Sequence, residues 1–106
     1  MTDEVLEEVL QGESNTVVQG LFFWCEGCKS RHYIPVLPGD KNVVWEWNRK
    51  FDKPTFAPSI LIYEYEGHQP RCHSYIHGGE IEYLGDCTHE MRDVTKPLLP
   101  RDQWPE

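Results

Sequence analysis

No stretch of this sequence approaches the roughly 18 consecutive apolar residues that a membrane span needs. Its opening residues, MTDEVLEEVL, have neither the basic segment nor the apolar run of a secretion signal. We therefore expect a cytoplasmic protein. Basic residues are scarce, 10 Lys and Arg against 18 Asp and Glu, for a formal charge of −8. Such a field repels phosphate backbones and anionic lipid surfaces, so neither nucleic acid nor a membrane is the expected partner. Repeats and low-complexity tracts are missing, and no helical period follows the first dozen residues. There are only four cysteines, and in a reducing compartment they read as metal ligands or free thiols rather than as two disulfides.

What the chain does have is the composition of one folded domain: 106 residues, 39% of them hydrophobic, with four Trp, five Tyr and four Phe. Thr2 is placed to cap a short helix with Asp3 and Glu4 in its first turn and Gly12 at its end. Val5, Leu6, Val9 and Leu10 share one face of that helix, a stripe that must dock on the body or on another chain. From Val17 onward, short runs rich in β-branched and aromatic residues alternate with turn signals such as PGD, DKP, EGHQP and GG. The expected fold is mainly β, a small antiparallel domain with a zinc knuckle and a short N-terminal helix. Its parts are an acidic helix and linker over 1–16, the zinc-binding β domain over 17–100 and a tail over 101–106.

Cys25-Glu26-Gly27-Cys28 has the spacing that lets two thiolates reach one tetrahedral metal, with Gly27 easing the tight turn beneath it. The second half of a site can be read from CHSYIHGGEIEYLGDCTH. If Gly78-Gly79 is a two-residue turn, His77 faces Glu80 and Ile76 faces Ile81, and Cys72 and Cys87 fall on one side of the hairpin as a diagonal pair, roughly 7–8 Å apart at the backbone. His73 points to the other side. The expected ligands of Zn2+ are Cys25, Cys28, Cys72 and Cys87. His89, which shares the parity of Cys87, stands as an alternative ligand. His73, His32 and Asp86 are further alternatives or would orient the ligands. A three-residue loop would instead place His73 beside Cys87.

The motifs FxCxxC with a following His, WxWN, PTFxPSI, CHSYI and GxIxYLxDCTH resemble a family of small proteins common in bacteriophages and prophages, with no settled function. Its members are sometimes labelled ammonia monooxygenase, which a chain of this size without a membrane span cannot be. The resemblance covers Phe22 to Leu99 and implies that Cys25, Cys28, His32, Cys72, His73, Cys87 and His89 are motif positions. A phage origin implies the host cytoplasm and inhibition of a host or defence protein.

Four thiolates close a zinc site and leave no position for water, so the expectation is a protein-binding module with no catalytic residue. Its partner surface would be Trp45, Trp47, Phe56, Tyr63 and Tyr65, with the acidic helix as a second contact. The rival reading is a zinc-dependent hydrolase, with a His/Asp cluster beside an open metal position.

Overall fold

In the computed structural model, residues 3–10, 17–37, 44–67 and 69–105 are described. Thr2 and Gly12, the linker over 12–16, Val43 and His68 lie outside them. Among the described residues nine strands run in chain order: β1 (Glu7–Leu10), β2 (Val18–Cys25), β3 (Ser30–Pro35), β4 (Glu46–Trp47), β5 (Phe56–Ala57), β6 (Ile60–Ile62), β7 (Cys72–His77), β8 (Glu80–Tyr83) and β9 (Thr95–Pro97). A 3-10 turn, Arg101–Gln103, follows. The strands form three antiparallel sheets, ordered β1-β2-β3, β4-β5 and β6-β7-β8-β9.

The expected N-terminal helix is a strand. Val5, Leu6, Val9 and Leu10 fit a helical stripe, but a helix this short is marginal alone, whereas β2 offers an unpaired edge. β1 takes that edge, with Glu8 opposite Leu21 and a register shift between Val9 and Leu10. Val5 and Leu6, just before it, are fully inside the core. The Val5 N–H donates to the Phe51 carbonyl at 2.8 Å, and the Arg101 N–H to the Glu4 carbonyl at 2.8 Å, so this segment is tied to the body at both ends of the chain.

Alternation of side chains sorts the rest. On β2 the inward residues are Leu21, Phe23 and Cys25, and on β3 they are His32 and Ile34. On β7, Cys72, Ser74 and Ile76 are buried, while Tyr75 and His77 are exposed. Gly78 and Gly79, both with positive φ, make the two-residue turn that the sequence predicts. It pairs His77 with Glu80, Ile76 with Ile81 and Ser74 with Tyr83. β6 pairs with β7 on its other side, Ile60 to Ser74, Leu61 to His73 and Ile62 to Cys72. The buried faces of β2, β3, β7 and β8 meet in one core, so Cys25 and Cys72 face each other although they are 47 positions apart.

Candidate functional site

The loop between β2 and β3 is a tight turn whose backbone points at sulfur: the Cys28 N–H donates to Cys25 Sγ at 3.2 Å, and the Lys29 N–H to the Cys25 carbonyl at 2.8 Å. The left-handed residue of the turn is Lys29, with φ 55°, and not Gly27. Gly27 is required for a different reason, since a Cβ there would lie 2.3 Å from the His89 ring. The ring covers the glycine on one side and meets Tyr83 edge-on, with centroids 5.1 Å apart.

This packing gathers Cys25, Cys28, Cys72 and His89, whose ligand atoms all lie within 4.8 Å of one another, close enough to hold a metal ion. The Cys25 and Cys72 sulfurs are 3.7 Å apart. Two sulfurs bound at about 2.3 Å to one tetrahedral centre would be roughly 3.8 Å apart, so the spacing suits such an ion. Among the described residues His89 Nε2 is buried with no hydrogen-bond partner, while its Nδ1 lies 3.2 Å from the Met91 N–H.

Electrostatics of the cluster point the same way. Hydrogen bonds from the Cys28 thiol and then the Cys72 thiol hold Cys25 far below the usual thiol range, against the effect of burial. The same contact with the Cys25 thiolate pushes Cys28 up to about 12, and contacts with Cys25 and Cys28 push Cys72 far up. Burial first, and the Cys25 charge second, raise the Tyr83 phenol, whose hydroxyl donates to Cys25 Sγ at 3.6 Å. One negative charge is thus stabilised by several donors, and a cation would let the remaining thiols ionise.

Cys87 is not in this group; His89 stands where Cys87 was expected. The hairpin register stops at Tyr83, and the Cys87 N–H donates to the Leu84 carbonyl at 3.2 Å in a turn that breaks strand parity. The turn sends the Cys87 thiol to the backbone of His73, 3.3 Å from both its N–H and its carbonyl. His32 is buried against Phe23, close enough to the cluster to help lower Cys25, and its Nε2 has no hydrogen-bond partner among the described residues.

On the opposite face of β7 from Cys72, His73 makes two further contacts. Its Nδ1 lies 3.0 and 3.1 Å from the two carboxylate oxygens of Asp86, and its Nε2 lies 3.0 Å from Ser59 Oγ. A carboxylate can only accept, which places the proton on Nδ1 and leaves Nε2 to accept from the serine hydroxyl. The three residues come from different elements. Ser59 directly precedes β6, with its carbonyl held at 3.2 Å by the Trp45 indole N–H, and Asp86 sits in the turn after β8. The side chains of His73 and Asp86 are 24% and 45% exposed, so the relay opens to solvent. Ser59 is the residue that sequence reasoning missed. Its one signal was its place in the PTFAPSI stretch, because a serine 14 positions from a histidine has no local pattern of its own.

Of the expected partner surface, Tyr63 and Tyr65 are each 65% exposed, whereas Phe56 is buried and stacks beneath the half-buried Trp47 at 6.3 Å. No helix among the described residues is long and apolar enough to cross a membrane.

A family model described as bacterial ubiquitination-like system serine protease (BubE) matches residues 2–84. The chain belongs to the BubE family. The BubE match takes in Ser59 and His73 and three of the four clustered ligands, Cys25, Cys28 and Cys72, and it ends just before the turn that carries Asp86. It also includes the Glu7–Leu10 strand, so this edge belongs to the matched region. Comparisons with curated proteins and with solved structures give no match.

The Gly27 contact gives an expected result. Gly27→Ala should displace the His89 ring and weaken metal binding by roughly tenfold or more, as judged by competition with a chromogenic chelator. Unchanged affinity would mean that His89 is not held by this contact.

Proposed function

We propose that this chain is a serine protease in which Ser59 is the nucleophile, His73 the general base and Asp86 the group that orients it, and that a structural zinc held by Cys25, Cys28, Cys72 and His89 supports them. The reading is carried by one observation, the continuous hydrogen-bonded series from Ser59 Oγ through both nitrogens of His73 to Asp86. The description of the matching family, a bacterial ubiquitination-like system serine protease, agrees with it.

The chemistry follows from the contacts. His73 Nε2 takes the Ser59 proton as Oγ attacks the carbonyl carbon of an amide. The bond from Oγ to carbon forms, the carbon–nitrogen bond breaks, and the leaving amine receives the proton from Nε2. Water, deprotonated by the same nitrogen, then attacks the ester, which releases the acid and restores the hydroxyl. Asp86 keeps the imidazole in the tautomer this needs and stabilises its charged form.

Three sulfurs and one imidazole nitrogen fill a tetrahedron, a ligand set characteristic of structural zinc. The ion in this reading contributes folding energy. It closes the β2–β3 loop onto β7 and the segment after β8, the same elements that carry His73 and Asp86. The rival zinc hydrolase would draw on His32, His73, His89 and Asp86 beside a metal with an open position for water. In this reading Ser59 takes that task and the metal has a full set of protein ligands. Inhibition of a host or defence protein gives way to catalysis for the same reason, since a binding surface has no need of an oriented serine and histidine.

A fluorophosphonate probe tests the reading. It should modify the folded, zinc-loaded protein at Ser59, identified by peptide mass spectrometry, and a protein that stays unmodified or reacts at another serine would end it.

A further inference from the structure

Ser59 sits at the end of an edge strand, and the way backbone groups alternate along that strand shows which of them face outward. On β7 the His73 N–H meets Cys87 Sγ, and its carbonyl accepts from the Leu84 N–H at 2.9 Å, so both groups of His73 point toward the β8 side. In an antiparallel sheet the two neighbours must point the other way, toward β6. Cys72 and Ser74 therefore bond with Ile62 and Ile60, and Leu61, opposite His73, directs its N–H and its carbonyl away from β7. β6 is the outer strand of its sheet, and no strand among the described residues pairs with it on that side.

The edge is closed on both flanks. The Ser59 carbonyl accepts from the Trp45 indole, and the Tyr63 carbonyl accepts from Gln69 Nε2 at 2.6 Å. What remains between them is one residue with a donor and an acceptor side by side, two positions from the nucleophile. Leu61 also shares its face with His73, so a chain laid along this edge runs past the base as it reaches Ser59.

We infer that Leu61 is the docking point for the acyl side of an extended peptide substrate, which adds to β6 as an antiparallel strand. This rests on the assignment of Ser59 as nucleophile. The acyl half must be held through both chemical steps, whereas the amine half departs after the first, so a single recognition edge beside the serine serves the acyl half. In antiparallel register a residue opposite Ser59 has its second predecessor opposite Leu61. The residue two positions before the scissile carbonyl therefore exchanges two hydrogen bonds with the Leu61 backbone, a mode of peptide recognition that is independent of side-chain identity at that contact.

The experiment compares inactivation rates of the zinc-loaded protein by an acetylated tetra-alanine diphenyl phosphonate, by the single acetyl-alanine phosphonate, and by tetra-alanine versions N-methylated at one amide each. The long probe should react at least tenfold faster than the short one. Methylation of the amide two residues before the phosphonate should abolish most of that gain, roughly tenfold or more, while methylation of the adjacent amide, which points away from the edge, should leave the rate within about twofold. Equal sensitivity at both amides, sensitivity at neither, or no gain from length overturns the edge assignment. In each of those cases fluorophosphonate labelling at Ser59 shows that the nucleophile stands. Loss of that labelling as well removes both.

Discussion

Ser59→Ala is expected to reduce hydrolysis of an activated ester such as 4-nitrophenyl acetate by roughly 10⁴-fold or more in kcat relative to the parent protein, with thermal stability and metal content unchanged. The serine hydroxyl is half-buried at the edge of β6, and its carbonyl, which the substitution retains, is the group that Trp45 holds. Asp86→Asn should keep the geometry but favour the wrong tautomer of His73, at a loss of about 10⁴-fold. The two changes combined should cost little more than Ser59→Ala alone, because the residues act as a unit. Comparable ester hydrolysis by the parent and Ser59→Ala proteins would remove the catalytic reading.

Loss of the metal is expected to be as severe for the fold. Cys72→Ser should abolish stoichiometric zinc binding and cooperative unfolding, measured by metal analysis and by thermal denaturation. A structural zinc contributes about 10–16 kcal/mol of binding free energy, comparable to or larger than the entire stability of a typical domain of this size. His89→Ala should behave similarly. Cys87→Ser should keep its zinc, since that thiol contacts the His73 backbone and not the ligand cluster. The opposite result, zinc lost from Cys87→Ser and retained by His89→Ala, would restore the four-cysteine site. Chelation of the parent protein should eliminate ester hydrolysis together with the fold, because Cys72 and His73 are adjacent.

The hairpin was legible because two independent signals agreed. Gly78-Gly79 is a turn signal, and the residues on either side alternate with a period of two, so the register of Ile76 with Ile81 follows from sequence alone. That register places Cys72 inward and His73 outward. The reading failed at Cys87, where the ladder was carried past Tyr83 through a segment that in fact turns. Local bends of this kind have no period to betray them. The N-terminal strand was misread because four apolar residues in a short segment satisfy two geometries. The choice between them is made by the unpaired edge of β2, a tertiary fact. Ser59 was invisible for a related reason: its contact with His73 is defined by strand pairing, which brings Leu61 opposite His73 although the two are 12 positions apart.

Cys72 and His73 occupy consecutive positions on a strand whose successive side chains leave by opposite faces. An inserted or deleted residue upstream of this pair can be absorbed in the loop after β6, but one between 72 and the glycine turn would throw the remainder out of phase, turning hydrophobic residues to solvent and polar ones inward. Reading frame along this strand is therefore under a double constraint, from the cysteine–histidine cluster on one side and the Ser59–His73–Asp86 contacts on the other. Length variation in relatives of this protein should accordingly collect in the connections and spare these six residues.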